Sequence, residues 1–115
     1  MSNTEITAAV VGTGHLGRHH VRILAGMDGV RFLGAYDADR DRLAKIATEH
    51  GVPALESVEA AGAADAVVVA TPTVRHREVA VVLLEADCHV LVEKPITVTL
   101  AEAEDLIALA DQHSK

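Results

Sequence analysis

Residues 6–17, ITAAVVGTGHLG, decide the fold. Ile6–Val11 is an apolar run that ends on glycine, which predicts a buried strand. Gly12-Thr13-Gly14-His15-Leu16-Gly17 then reads G-x-G-x-x-G, and Leu16, Ile23 and Leu24 follow at helical spacing up to about Ala25. A lone G-x-G-x-x-G is a weak signal; between a strand and a helix it is a strong one. Gly12 permits a tight turn, Gly14 lets backbone approach a pyrophosphate with no Cβ in the way, and Gly17 lets the helix pack close to the strand. The helix start offers free N–H groups and partial positive charge to an anion.

Asp37 lies twenty residues past Gly17, at the end of the next apolar run, Val30–Tyr36. A carboxylate there accepts hydrogen bonds from the 2′- and 3′-hydroxyls of an adenosine ribose. The pattern therefore predicts a dinucleotide site. A 2′-phosphate would meet like charge at Asp37, so NAD is expected ahead of NADP. Arg40 and Arg42 keep NADP open, since either can reach a phosphate; their other reading is solvated helix surface paired with Asp39 or Asp41.

The rest of the chain repeats the alternation. Asp28-Gly29 is a turn signal and Val30–Tyr36 a second strand. Asp39 to His50 reads as a helix with Leu43, Ile46 and Ala47 facing the core, and Gly51 suits the position just past its end. Val52–Leu55 contains Pro53 and gives at best a short third strand. Ser57–Ala61 is one or two helical turns. Asp65–Ala70 has the β-branched run of a strand buried on both faces. Thr71-Pro72-Thr73 breaks it, and Val74–Ala86 is helical. His89–Val92 is a further buried strand, closed by Glu93-Lys94-Pro95. Thr99 to about Gln112 is a helix, with Thr99 and Glu102 placed as a capping box. Strands separated by helices force parallel pairing with right-handed crossovers. The expected fold is α/β: a doubly wound, mostly parallel sheet of about five strands with helices on both faces. Its ligands belong at the carboxyl ends of the strands.

Composition sets the outer bounds. The 115 residues are read as a single domain, 1–115. A chain of this size buries roughly 65% of its unfolded surface. Half the residues are hydrophobic, which excludes a wholly disordered chain, and with 2% aromatics the core falls to Val, Ala, Leu and Ile. No apolar run approaches the ~18 residues that span a bilayer, so no membrane association is expected. Met1 to Thr7 lacks the basic and apolar regions of a signal peptide. One cysteine, Cys88, forms no internal disulfide, which points to the reducing cytoplasm. Ten basic against seventeen acidic residues, net −7, argue against non-specific nucleic-acid binding. They do not argue against a small phosphate-bearing ligand held by backbone N–H groups.

His15 and His19 stand at i, i+4, with His20 next. No Cys or carboxylate sits at matching spacing, so no metal is expected. His15 is placed near the pyrophosphate; His19 and His20 read as interface or surface residues. His76, in the first turn of its helix, either faces the cleft or is partly exposed helix surface. Glu93-Lys94-Pro95 puts an acid and a base at the ligand-binding rim. Pro95 biases Lys94 toward an extended backbone. Lys94 is suited to donate to a substrate hydroxyl or carbonyl, or to move a proton if its pKa is lowered. Its other reading is a surface Glu–Lys pair.

The glycine motif, Asp37, the stretch ATPTVRH and above all HVLVEKP together resemble the Gfo/Idh/MocA family of oxidoreductases. The resemblance runs from Ile6 to Gln112 and is to that family's N-terminal NAD(P)-binding Rossmann domain. The wording GHLGRHH and PTxxH is most similar to the branch acting on nucleotide-linked amino sugars. The resemblance implies that Gly12, Thr13, Gly14, His15, Leu16 and Gly17 hold the pyrophosphate and Asp37 the adenosine ribose. It implies that Ala70, Thr71, Pro72 and His76 line the nicotinamide-ribose side. Glu93 would contact the nicotinamide half, and Lys94 would touch cofactor and substrate as the catalytic residue. The implied reaction is reversible hydride transfer between a sugar or cyclitol hydroxyl carbon and C4 of the nicotinamide.

Two departures from the family stand out. Its members run on into a substrate-carrying domain, so this chain is expected to be an excised, truncated or engineered Rossmann unit that binds cofactor without turnover. The family's usual glycine is replaced by Asp87, where a left-handed backbone is expected. Cys88 after it reads as inert packing. Without the family's further strand, the edge of His89–Val92 is unpaired, and an apolar unpaired edge predicts homodimerisation through it. Two other functions fit: a stand-alone dinucleotide sensor that passes redox state to a partner, and a scaffold for another adenosine ligand.

Overall fold

The computed structural model describes residues 5–93, 97 and 99–115. Four strands form one parallel sheet: β1 (Ile6–Val11), β2 (Val30–Tyr36), β3 (Ala66–Val69) and β4 (His89–Val92), in the order β2-β1-β3-β4. The helices are α1 (Gly17–Ala25), α2 (Arg40–His50), α3 (Val58–Ala61), α4 (His76–Glu85) and α5 (Leu100–Gln112), with a 3₁₀ turn at Thr73–Arg75 before α4. Lys94 and Pro95 of the triplet lie outside the described residues.

Alternation along the strands builds the two layers. Ala9 and Val11 of β1 with Val67 and Val69 of β3 turn toward α3 and α4, meeting Ala61, Val79 and Leu83. Val10 turns the other way, with Ala35, onto Val21 of α1 and Leu43 and Ile46 of α2. α5 packs on α4 through Leu106, Ala80 and Leu84, beside Val90 and Val92 of β4. Small β-branched and alanine side chains allow close packing on both faces without aromatics.

The expected third strand reduces to a bridge. Val52–Leu55 joins the sheet only where Ala35 donates to the Pro53 carbonyl (3.0 Å) and Leu55 donates to the Ala35 carbonyl (2.7 Å). Pro53 has no N–H for a ladder. β2 bulges at the same place: Ala8 pairs Phe32 and Ala9 pairs Gly34, skipping Leu33. Gly34 takes φ 151°, and a Cβ there would stand 2.8 Å from the Pro53 carbonyl oxygen. The bulge and the proline limit this edge to four strands plus one bridging residue.

Helix ends follow local chemistry. Asp39 caps α2 by accepting from the Arg42 N–H, and Ser57 and Thr99 cap α3 and α5 in the same way. Gly51 closes α2 in the left-handed conformation at φ 64°. Asp87 closes α4 with φ 72°, the conformation its position demanded. The Cys88 thiol donates to the Gly62 and Ala64 carbonyls, and burial pushes it above its ordinary range, so it is unreactive packing.

Candidate functional site

At the carboxyl ends of the strands lies a cleft of about 870 Å³, lined by Gly12, Gly14, His15 and Leu16 from the glycine loop. Tyr36, Asp37 and Arg42 line it from β2 and α2, and Ala70, Thr71 and Pro72 from the loop after β3. Arg75 and Glu78, ion-paired at 2.9 Å, and Ser57 to Glu59 complete the far wall.

The three glycines divide their work as the motif predicts. Gly12 has φ 99°, and a Cβ on it would lie 2.6 Å from the Ala70 carbonyl carbon and the Thr71 nitrogen. A Cβ on Gly17 would stand 1.7 Å from the Gly12 carbonyl oxygen. Both glycines are therefore required by the protein's own backbone. A Cβ on Gly14 would meet nothing within 4 Å; it would point into open space at the cleft. No side chain caps α1 and no acid stands in its first turn, so its N-terminus keeps its affinity for an anion.

Asp37 anchors the other side of the loop. Its Oδ2 accepts from the Thr13 N–H (2.7 Å), the Thr13 hydroxyl (2.8 Å) and Arg42 Nε (3.1 Å). Its Oδ1 accepts from the Asp39 N–H (2.8 Å) and Arg42 Nη2 (3.2 Å). Burial pushes its carboxyl pKa up, but the Arg42 guanidinium, the Thr13 and Asp39 amides and the Thr13 hydroxyl together hold it below the usual carboxylate range. The carboxylate is thus ionised and locked to the glycine loop through Thr13. Arg42 is not paired through its guanidinium with Asp39 or Asp41, as a surface reading would have it; it reaches back to Asp37.

At the ends of β3 and β4 the structure departs from expectation. Thr71 lines the cleft, and its hydroxyl is buried with no hydrogen-bond partner among the described residues. His76 is neither cleft-facing nor partly exposed. It is fully buried, and its Nε2 bonds the Thr71 carbonyl at 2.8 Å, behind the loop. Glu93 extends the β4 ladder by donating its N–H to the Val69 carbonyl (3.0 Å), and its carboxylate pairs with His20. His20 is therefore not a free surface residue; it ties α1 to the end of β4. His15 and His19 meet edge to face, and among the described residues no three His, Cys, Asp or Glu side chains cluster as a metal site would need.

Sequence reasoning missed the roles of Thr13, His20 and Arg42 as clamps. A hydroxyl inside G-x-G facing an acid at the end of β2 was the available signal for Thr13. His20 and Arg42 act across sequence separations that spacing alone does not reveal. The residues present fit a dinucleotide: an open cradle at Gly14, an uncapped helix start, a buried carboxylate at the end of β2 and, at Thr71, a hydroxyl with no partner among the described residues.

Comparison with known proteins agrees with this geometry. Residues 6–115 match the Gfo/Idh/MocA family, described as an oxidoreductase family with an NAD-binding Rossmann fold. UDP-N-acetylglucosamine 3-dehydrogenase of Acidithiobacillus ferrooxidans is 40% identical over 104 residues, 90% of this chain and 33% of that protein. Its solved structure superposes with a TM-score of 0.91 at 38% identity, covering 96% of this chain and 36% of that one. Inositol 2-dehydrogenase 1 of Saccharopolyspora erythraea is 38% identical over 109 residues, 90% of this chain and 32% of that protein. GenD2 from gentamicin A biosynthesis, solved in complex with NAD, superposes with a TM-score of 0.88 at 30% identity, covering 98% of this chain and 34% of that one. The chain thus spans about a third of the length of the relatives it matches. With strand, glycine loop, Asp37 and cleft in place, the chain belongs to the Gfo/Idh/MocA oxidoreductases as their NAD-binding Rossmann domain.

Proposed function

We propose that this chain holds NAD(H) across the carboxyl ends of β1 to β4, as the cofactor-binding part of an oxidoreductase acting on a sugar or cyclitol hydroxyl. The observation that carries the reading is the contrast among the glycines: Gly12 and Gly17 are closed against backbone, while Gly14 opens on the cleft. The activities of the relatives, a UDP-N-acetylglucosamine 3-dehydrogenase and an inositol 2-dehydrogenase, support the substrate class. When bound, the nicotinamide supplies hydride exchange at its C4. The chain's own residues bind and orient. Gly12 to Gly17 cradle the pyrophosphate on the α1 N-terminus. Asp37 accepts from the adenosine ribose, and NAD is preferred over NADP at that carboxylate. Ala70, Thr71 and Pro72 form the wall on the nicotinamide-ribose side, with His76 holding Thr71 from behind. Glu93 sits at the nicotinamide end, and Lys94 donates to the substrate oxygen or moves its proton.

Two further assignments are proposed on narrower ground. β4 is the last strand of the sheet among the described residues, which favours pairing between two copies along this edge. A single buried, reduced cysteine fits a reducing cytoplasm.

Calorimetric titration with NAD⁺, NADH and NADP⁺, repeated on Asp37→Ala, tests the main reading. Saturable NAD(H) binding that weakens at least about tenfold in the variant is expected, since a hydrogen bond to a charged group contributes roughly 1.5–3 kcal/mol. No binding of any of the three would contradict it.

A further inference from the structure

Asp37 is full. A carboxylate offers about four lone-pair positions, and five hydrogen bonds already reach this one. Three of the donors, the Thr13 amide, the Thr13 hydroxyl and the Asp39 amide, are fixed by the loop and the strand end. The other two belong to Arg42, whose side chain is 47% exposed against 6% for Asp37. A ribose hydroxyl can therefore reach Asp37 only by exchange with Arg42, the one donor on a long, half-exposed side chain. An ion pair with one exposed partner contributes little, so the exchange is affordable but not free. Once displaced, the guanidinium remains on the cleft wall, planar and charged, in the form that binds a phosphate through two parallel N–H bonds.

We infer that Arg42 is an internal competitor of the adenosine ribose at Asp37 and, when displaced, the partner of a 2′-phosphate. It weakens NAD binding and supports NADP binding, narrowing the preference set by Asp37. This inference rests on the dinucleotide reading above and deepens it.

The test is calorimetric titration of the 115-residue chain with NAD⁺ and NADP⁺ in wild type, Arg42→Gln and Arg42→Lys. Arg42→Gln is expected to bind NAD⁺ about three- to fivefold tighter, the worth of a partly exposed ion pair. The same variant is expected to bind NADP⁺ about tenfold weaker, for loss of a charge-assisted phosphate contact. Arg42→Lys keeps the charge without the fork, so its NADP⁺ affinity stays closer to wild type than that of Arg42→Gln. A purely structural role in α2 would move both cofactors in the same direction. Changes of the same sign, or no change, would overturn the inference while leaving NAD binding intact. A wild type that binds neither cofactor would overturn the dinucleotide reading and this inference with it.

Discussion

The rim of the sheet is built differently at its two ends. At β1 and β2 the polar groups of the cleft are held in place by the chain itself: Thr13 and Asp39 lock Asp37, and Gly17 presses α1 onto the Gly12 carbonyl. At β3 and β4 the groups are sparser. The Thr71 hydroxyl has no partner among the described residues, the Glu93 carboxylate leans on His20 of α1, and Leu91 faces outward on the last strand. The β1–β2 end is preorganised by bonds that close within the domain, save for Arg42, which has to yield before a ligand hydroxyl reaches Asp37; the β3–β4 end is held by fewer such bonds. Affinity should therefore be set at the first end and reaction geometry at the second.

The sharpest way to break this contrast is Gly17→Val. Its Cβ would fall on the Gly12 carbonyl, and backbone cannot give way as a side chain can. A loss of more than about 4 kcal/mol, the exceptional end for single substitutions, is expected, seen in a urea melt as loss of the cooperative transition. A wild-type melt would mean that the loop is not preorganised.

Asp37→Asn comes next, at about 1–3 kcal/mol for disturbing a buried, hydrogen-bonded acceptor. Its pH dependence has a definite sign. Asp37 is held below the ordinary carboxylate range in the fold, so its ionisation stabilises the protein fully above the unfolded value of about 3.9. That stabilisation is lost as pH falls through the lower folded-state value. Urea melts of wild type and Asp37→Asn should differ by a constant amount near neutral pH and converge below about pH 4. A gap that widened on acidification would contradict the assignment.

Leu91→Lys should do least to the fold, within about 0.5 kcal/mol, because the side chain is already exposed. Its effect belongs to assembly: a charged edge resists strand pairing, so sedimentation should shift toward monomer at high concentration. Identical sedimentation of variant and wild type would remove the edge as a contact.

Much of the fold was legible because the local signals agreed with one another. β1 and β2 run as their apolar residues predict, and caps at Asp39, Ser57 and Thr99 mark helix starts. β4 forms over the expected residues but is half-covered rather than buried, with His89 and Leu91 exposed because no described helix covers that face. Even the strain at Asp87 followed from its place after a helix. The third strand failed because its pairing depends on Pro53 meeting a bulge at Gly34, a fact of two segments rather than one. In the site, glycine roles were readable from spacing, since a missing Cβ acts locally. The clamps Arg42–Asp37 and His20–Glu93, and the burial of His76 behind Thr71, arise only when helices are laid on the sheet.

The central claim, that the adenosine end is the preorganised ligand site of this chain, is tested most directly by backbone amide NMR during titration with NAD⁺. The account predicts the largest shifts at Gly12 to Gly17 and Asp37 to Arg42, smaller ones at Thr71 and Glu93, and none along Leu100–Gln112. Shifts centred on β4 and α5, with the glycine loop unmoved, would contradict it.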